Sequence, residues 1–127
     1  MDIVGIGTDA CEIDRIAATL AKYGDHFLQK IFTAGEIAYC QRKRDPAPSL
    51  AARFAAKEAA AKALGTGLSR GVFWTDIEVT RAKGGPPQVV FHGGAAQRFA
   101  AIGGNASLLT LTHARDLAIA HVLLLKR

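Results

Sequence analysis

The first residues that could do chemistry lie near the start of the 127-residue chain, in Gly5-Ile6-Gly7-Thr8-Asp9-Ala10. This stretch formally satisfies the GxGxxA variant of the dinucleotide-binding fingerprint. The match is weak, because an anionic Asp9 in that turn would repel a pyrophosphate unless a cation stood between them. Two interpretations of Asp9 stay open: it holds a divalent metal that bridges to a phosphate, or it caps the helix that follows.

The second stretch is an alanine-rich helix pattern in the middle of the chain. Phe54, Glu58 and Lys62 recur at four-residue steps on one stripe, and Arg53 and Lys57 lie beside it. One interpretation is an exposed helix with a Glu58–Lys62 ion pair that contributes about 0.3 kcal/mol. The many alanines instead indicate a buried helix. Buried charges need charged partners or a ligand, so this helix is a candidate binding element.

The third stretch ends a predicted strand with Thr110-Leu111-Thr112-His113. A histidine at a strand end is often structural or simply exposed, but His113 could also donate a hydrogen bond to a phosphate. The HxxxH and HExxH spacings are absent from the chain, so the sequence does not indicate a zinc site.

The elements predicted around Asp9 are a strand and a helix. Residues 3–7 form a short apolar run, and residues 13–20 repeat apolar side chains at steps of three and four, as an amphipathic helix does. We expect the strand to give way to the helix between Thr8 and Glu12.

Two further helices are predicted in the first half. Thr33 and Glu36 form a capping-box pattern, and the prolines of residues 45–48 stop the helix that the box begins. We expect Ser49 to cap an alanine-rich helix over residues 50–64, which a glycine ends.

The second half is predicted to be mostly β. Its elements are strands over residues 75–80 and 88–92 around a turn at 84–87, a helix over 93–102, and strands over 107–112 and 117–125. Hairpins of this kind argue against a dinucleotide fold, which needs βαβ crossovers. The order of elements predicts an α+β fold with an antiparallel sheet, in a single domain over residues 1–127.

The charge is positive, with 16 Lys plus Arg against 11 Asp plus Glu, for a net charge of +5. The one basic cluster is Arg42, Lys43 and Arg44. It could be the last turn of a helix, whose dipole favours cations, or it could bind an acidic protein, a phosphorylated small molecule or nucleic acid. Nucleic acid is the least favoured of these, because no aromatic residues interleave with the cluster.

The sequence does not indicate a membrane-spanning segment, a secretory leader or a disulfide. The longest apolar run, residues 117–125 interrupted by His121, is far shorter than the roughly 20 residues that cross a bilayer. The start of the chain lacks the segments of a secretory leader, so we expect a cytoplasmic protein. Cys11 and Cys40 form no CxxC motif, and we expect them to be reduced thiols packed as small apolar residues.

Together these segments resemble the holo-acyl-carrier-protein synthase family, the short trimeric branch of the 4′-phosphopantetheinyl transferases. The similarity covers essentially the whole chain. Its most specific landmark is the helix Arg53-Phe54-Ala55-Ala56-Lys57-Glu58-Ala59 with Lys62 and Gly65-Thr66-Gly67, preceded by an acid after the first strand.

The resemblance implies an antiparallel sheet packed against a long helix, assembled as a homotrimer with the site between subunits. It also implies transfer of the phosphopantetheine arm of coenzyme A to a serine of apo acyl carrier protein, which releases adenosine 3′,5′-bisphosphate and supports fatty acid biosynthesis. The alternative is a coenzyme A or nucleotide-binding module that has lost catalysis. Neither nucleic acid nor a membrane is expected as a partner.

The resemblance also implies roles for individual residues. Asp9 and Glu58 would hold a Mg²⁺, and they would act in catalysis with Lys62 and His113. The serine proton would go to Glu58 or to a water on the metal, with His113 a weaker candidate. The expected coenzyme A contacts are Arg53, Lys62, Gly65, Thr66, Gly67, Pro87, Thr112 and His113.

Two further points concern the surface that receives the partner protein and a position at which this sequence differs from some family members. Arg15 and the basic cluster of Arg42, Lys43 and Arg44 are expected to receive the acidic carrier protein. Ala114 stands where some family members carry an acid with a catalytic role, so that role is not transferred to this chain.

Overall fold

The computed structural model describes residues 1–127 and confirms the predicted α+β class. The elements are β1 (Asp2–Glu12), α1 (Ile13–Tyr23), α2 (Asp25–Ile31), α3 (Ala34–Gln41), α4 (Ala47–Leu64), a short 3₁₀ turn (Trp74–Asp76), β2 (Ile77–Arg81), β3 (Pro87–Phe91), α5 (Gly93–Ala101), β4 (Ala106–Ala114) and β5 (Leu117–Lys126). The second-half elements agree with the predicted ones to within two residues at most ends.

The centre of the molecule is α4 packed on an antiparallel sheet of order β1-β5-β4. The face of β5 that meets α4 carries Ala118, Ala120, Val122 and Leu124, which are all fully buried. The alanines of α4 are equally buried, and their small side chains let the strands come close. Strands β2 and β3 form a separate antiparallel hairpin beside this core. No helix is both long enough and apolar enough to span a membrane.

The glycines of β1 allow an unusually close contact with α4. A Cβ atom on Gly5 would lie 2.1 Å from the carbonyl oxygen of Ala63, and one on Gly7 would lie 1.9 Å from that of Ala59. Only glycine fits at such a distance from another backbone. The two glycines therefore belong to helix–strand packing rather than to a phosphate-binding turn.

The predicted change from strand to helix between Thr8 and Glu12 is wrong. Strand β1 continues to Glu12, because its pairing with β5 extends as far as Leu117. Asp9 consequently lies within a strand and caps no helix, since the residue before α1 is Glu12.

Helix α4 begins earlier than the sequence indicates. It starts at Ala47, with the Asp45 carboxylate accepting the Ala47 N–H at 3.1 Å, so Ser49 lies inside the helix and does not cap it. Proline fits the first turn of a helix because its missing N–H has no acceptor there, which is why Pro48 does not delay the start. The predicted end at Gly65 is confirmed, with φ of 80°.

Helix α3 begins with the predicted capping box, and the Glu36 side chain of this box also contacts residues outside the helix. The Glu36 carboxylate accepts the backbone N–H groups of Thr33 at 2.9 Å and Val79 at 2.8 Å. It also lies 2.6 Å from Lys57 Nζ, and both side chains are fully buried. Lys57 donates as well to the carbonyl oxygens of Trp74 and Ile77. This buried ion pair ties α3, α4 and β2 together.

Candidate active site

The predicted carboxylate pair is present in the structure. Asp9 lies on the face of β1 that meets α4, and Glu58 faces it from the helix. Burial raises the pKa of Glu58 to about 7, and a hydrogen bond with Asp9 and the charge of Asp9 add to this. Two carboxyl groups this close favour sharing a proton when no cation separates them.

Lys62 completes this group from the next turn of α4. Its ammonium lies 2.9 Å from Asp9 Oδ1 and donates to the carbonyl oxygen of Thr8 at 3.2 Å. The Lys62 side chain is 54% exposed, so its ammonium also faces solvent. Lys62 therefore makes its ion pair with Asp9 rather than the alternative pair with Glu58 along the helix.

The pair fits a small, hard divalent cation. Two carboxylates are the protein ligands that Mg²⁺ typically takes, with water and substrate oxygens filling its other positions. No group of three or more His, Cys, Asp or Glu side chains is arranged to hold a metal ion. The donor set of Asp9 and Glu58 is thus suited to an ion shared with a phosphorylated substrate, and unsuited to a fully protein-enclosed one.

A cavity of about 270 Å³ opens beside the carboxylates, between β1, α1 and α4. Its walls include Ile16 and Phe54, and Arg15 lies on its lining. Cys11 also borders it, but burial raises the pKa of this thiol to about 11. A protonated thiol is a poor nucleophile, so Cys11 serves here as a wall. Both cysteines are free, as predicted.

Arg53 lies in a different pocket. This cavity of about 340 Å³ is bordered by α3, α4 and β2, and its lining includes Tyr39, Arg42 and Arg81. The Arg53 side chain is only 5% exposed, its guanidinium carbon lies 4.1 Å from the centre of the Tyr39 ring, and its Nε has no hydrogen-bond partner. We call this the basic pocket.

Positive charge dominates the basic pocket. Burial opposes ionisation of the Tyr39 hydroxyl, yet the net effect of the nearby cations is to lower its pKa. Those cations are Lys43, Arg53 and Arg81. The Arg42 and Lys43 side chains also lie over the Tyr39 ring, at 5.3 Å and 4.9 Å. The pocket is thus suited to a phosphate or carboxylate group.

The carboxylate pair and the basic pocket face different ways. Arg53 and Glu58 are five residues apart on α4, which places them about 140° apart around the helix axis. The carboxylate pair and the basic pocket therefore lie on different sides of α4, although the sequence placed Arg53 and Glu58 on neighbouring stripes. A ligand bound to one chain does not reach both from one side of the helix.

The remaining predicted contacts are also dispersed. His113 Nε2 lies 3.2 Å from the carbonyl oxygen of Pro48, at the start of α4. Strand β5 separates His113 from Asp9, so their Cα atoms are about 12 Å apart by strand spacing. Thr112 is exposed on the opposite face of the sheet from α4, and Pro87 pairs with Arg81 beside the basic pocket.

The loop that ends α4 follows Lys62 directly. Gly65 and Gly67 have φ of 80° and 60°, which favour glycine, and the Thr66 hydroxyl donates to the Gly67 carbonyl at 2.8 Å. Arg98 of α5 donates to the Leu64 carbonyl at 2.8 Å and so fixes the end of the helix.

Sequence reasoning missed three of these residues. Tyr39 lies in the last turn of α3, three positions before Arg42 at the C-cap, a spacing that could have placed the ring beside the basic cluster. Nothing local signals Arg81 or Arg98, because each reaches its partner across the fold. The basic cluster itself is divided, since Arg42 lines the basic pocket and Arg44 is exposed outside it.

Comparisons with known proteins agree with the resemblance. The model of the 4′-phosphopantetheinyl transferase superfamily matches residues 5–121. A holo-[acyl-carrier-protein] synthase of Koribacter versatilis is 49% identical over 122 residues, which cover 96% of this chain and 98% of that protein.

Two solved structures have the same fold. The holo-[acyl-carrier-protein] synthase of Neisseria meningitidis superposes with a TM-score of 0.88 at 33% identity, over 98% of this chain and 100% of that one. The Helicobacter pylori enzyme in complex with coenzyme A has a TM-score of 0.82 at 26% identity, over 94% and 98%. The chain therefore belongs to the 4′-phosphopantetheinyl transferase superfamily, among the holo-acyl-carrier-protein synthases.

Proposed function

We propose that this chain transfers the 4′-phosphopantetheine moiety of coenzyme A to a serine hydroxyl of apo acyl carrier protein, which supplies holo carrier protein for fatty acid biosynthesis. The observation that carries the proposal is that Asp9 and Glu58 meet at one cavity, with Lys62 paired to Asp9. Relatives at about half identity carry the name of this activity, and a structural neighbour binds coenzyme A.

Asp9 and Glu58 would hold a Mg²⁺ together with the pyrophosphate of coenzyme A. When bound, this ion would neutralise charge on the pyrophosphate as its bridging bond breaks. The raised pKa of Glu58 beside Asp9 supports this assignment, because a cation between two neighbouring carboxylates stabilises their charged forms.

The other steps fall to side chains of the chain. The serine oxygen attacks the phosphorus next to the pantetheine, the bond from that phosphorus to the bridging oxygen breaks, and adenosine 3′,5′-bisphosphate leaves. Lys62 would hold the phosphate oxygens, since its ammonium is partly free for solvent. Glu58 is the better candidate to take the serine proton, because it lines the same cavity as Asp9, whereas His113 lies on β4 with β5 between it and Asp9.

Coenzyme A would contact residues of two subunits. Lys62 pairs with Asp9, and the loop from Gly65 to Gly67 follows it at the end of α4. Arg53 lies in the basic pocket, and Pro87 lies beside that pocket as the strand partner of Arg81. Because the two sets face different ways on α4, we propose that a homotrimer brings one set from each of two neighbours. His113 and Thr112 would join from the sheet.

The outer face of the β1-β5-β4 sheet supports this assembly. Ile6 is 68% exposed and Leu108 is 52% exposed, with the half-buried Leu123 between them. A contiguous apolar row of this kind is typical of a protein interface. The carrier protein would then approach Arg15 at the cavity beside the carboxylates, with Arg44 and Lys43 as further basic contacts.

Mass spectrometry tests the reaction. Apo acyl carrier protein incubated with coenzyme A and the chain should gain about 340 Da, the mass of the phosphopantetheine group. The gain should disappear when Mg²⁺ is chelated. Binding of coenzyme A with no gain in mass would instead identify a module without catalysis.

Mixed oligomers test the shared site. An Asp9→Ala subunit keeps the basic pocket, and an Arg53→Met subunit keeps the carboxylates. Random mixing of the two inactive variants should restore about a quarter of the sites, because each intact site needs one subunit of each kind. If each chain held a complete site, mixing would restore nothing.

A further inference from the structure

The ring of Tyr39 is the point at which three cations of the basic pocket meet. The guanidinium carbon of Arg53 lies 4.1 Å from the centre of the ring, that of Arg42 lies at 5.3 Å, and the Lys43 ammonium lies at 4.9 Å. Arg53 belongs to α4, whereas Arg42 and Lys43 follow Tyr39 where α3 ends. One aromatic ring thus contacts cations from two parts of the fold.

No carboxylate holds the Arg53 guanidinium. None of the three ion pairs in the fold includes Arg53. The carboxylate of Glu78 lines the same pocket, but it pairs with His92 at 2.9 Å and accepts the Thr33 hydroxyl at 2.7 Å. Arg53 instead contacts the electron-rich face of the Tyr39 ring.

The other two arginines of the pocket depend less on this ring. Arg81 donates its Nε–H to the Gly85 carbonyl oxygen at 2.9 Å, in the turn between β2 and β3. Arg42 is exposed, so its guanidinium can also be solvated by water. Arg53 has neither alternative, because it is only 5% exposed and its Nε has no hydrogen-bond partner. The orientation of the Arg53 side chain therefore depends on Tyr39.

We propose that Tyr39 is a positioning residue for coenzyme A binding, because its ring holds the Arg53 guanidinium ready to receive an anionic group of the ligand. This inference rests on the proposed function, which brings coenzyme A to the basic pocket. An arginine that is already oriented loses less side-chain freedom when the ligand binds, so the affinity is higher. The basic pocket lies on a different side of α4 from Asp9 and Glu58. The ring should therefore affect the binding of coenzyme A and not the chemical step.

Substitutions of Tyr39 separate the ring from the hydroxyl. Loss of a largely buried cation–aromatic contact corresponds to about 10-fold in affinity. Tyr39→Leu should therefore raise both the dissociation constant and the KM of coenzyme A by about 10-fold, while kcat stays within about two-fold of the wild-type value. Tyr39→Phe keeps the ring, and all three constants should stay within about two-fold of wild type.

The chain's second tyrosine provides a matched control. Tyr23 ends α1, and the Lys22 ammonium lies 5.2 Å from the centre of its ring. Tyr23 is 52% exposed and does not line the basic pocket. Tyr23→Leu removes the same kind of contact away from Arg53, and it should leave the affinity for coenzyme A unchanged.

Calorimetric titration with coenzyme A gives the dissociation constants, and the rate of mass gain of the carrier protein gives KM and kcat. Wild-type affinity in Tyr39→Leu would overturn the proposal. Equal weakening by Tyr39→Phe and Tyr39→Leu would also overturn it, since the hydroxyl and not the ring would then be responsible. So would a loss in Tyr39→Leu that is confined to kcat. If urea unfolding shows that Tyr39→Leu does not fold, Tyr39→Met removes the ring from the same position and serves the same test.

The two measurements separate this proposal from the function on which it rests. A wild type that binds coenzyme A in a Tyr39-dependent way but adds no mass to the carrier protein would refute the activity and leave the positioning role standing. Full mass gain with a wild-type KM in Tyr39→Leu would refute the positioning role and leave the activity standing. A wild type that does not bind coenzyme A would overturn both.

Discussion

Gly7 sets the distance between β1 and α4, and Gly7→Ala should therefore separate Asp9 from Glu58. The added Cβ would lie 1.9 Å from the Ala59 carbonyl oxygen, and ordinary contact begins at 3.4 Å, so the strand and helix must part by about 1.5 Å. Neither partner can yield alone, because one is the helix backbone and the other is the middle of a paired strand. Overpacking of this kind typically costs about 1–3 kcal/mol of stability.

The same displacement should slow phosphopantetheine transfer. Glu58 precedes Ala59 on the helix, and Asp9 follows Gly7 by two residues on the strand, so the shift acts directly on the pair. A misplacement of about 1 Å can reduce an enzymatic rate about 100-fold. Transfer is measured by the mass of the carrier protein under saturating coenzyme A, and stability is measured by urea unfolding.

A glycine in a roomier position provides the control for this prediction. Gly35 lies inside α3, and a Cβ there would meet side chains alone, the Glu78 carboxylate at 3.2 Å and the Thr33 hydroxyl at 3.9 Å. Gly35→Ala should keep or raise stability, because alanine favours the helix by about 1 kcal/mol. The close-packing argument fails if Gly7→Ala retains both wild-type stability and transfer within two-fold of the wild-type rate.

Two further predictions concern the carboxylates. Asp9→Ala and Glu58→Ala should each abolish Mg²⁺-dependent transfer while ultracentrifugation still shows the assembled protein; activity retained in both would refute the site assignment. The Thr33 hydroxyl, which donates to Glu78 at 2.7 Å, lowers the pKa of that carboxyl below 4.5. Ionised Glu78 therefore stabilises the fold above pH 4.5, and this is lost as pH falls through the lowered pKa. Urea unfolding should show Glu78→Gln costing about 1 kcal/mol at pH 7 and progressively less below pH 4.5.

Local signals in the sequence predicted what local interactions determine. The Thr33 and Glu36 capping box and the end of α4 at Gly65 depend on residues a few positions apart, and both are confirmed. The strand that the sequence predicts ends at residue 7, whereas β1 continues through Asp9 to Glu12 because its pairing with β5 extends that far. Gly5 and Gly7 also matched the pattern of a phosphate-binding turn. Their actual role is contact with a helix more than 50 positions away, which no local pattern reveals.

In the candidate site, too, local spacing predicts some features, whereas contacts between distant residues cannot be predicted from it. The helical spacing correctly put Glu58 and Lys62 on one stripe, but the meeting with Asp9 came only from the resemblance to a family. Lys57 was correctly expected to need a partner, since a buried ammonium requires one. That the partner is Glu36 depends on the packing of α3 against α4, which spacing in the sequence does not encode.

The unpartnered Nε of Arg53 indicates that the basic pocket exists for a ligand. Leaving a buried donor without an acceptor costs about 1–3 kcal/mol, and burying a guanidinium among other cations adds repulsion to that cost. Glu36 removes the equivalent cost for Lys57 one turn along the same helix. Glu78, the carboxylate that lines the basic pocket, forms its ion pair with His92 and not with Arg53. Packing therefore does not account for Arg53, whereas an anion bound between Arg53, Arg42 and Arg81 would offset both costs at once. The fold brings Arg42, Arg53 and Arg81 together from distant parts of the sequence, at a place where a phosphorylated substrate would supply the missing acceptor.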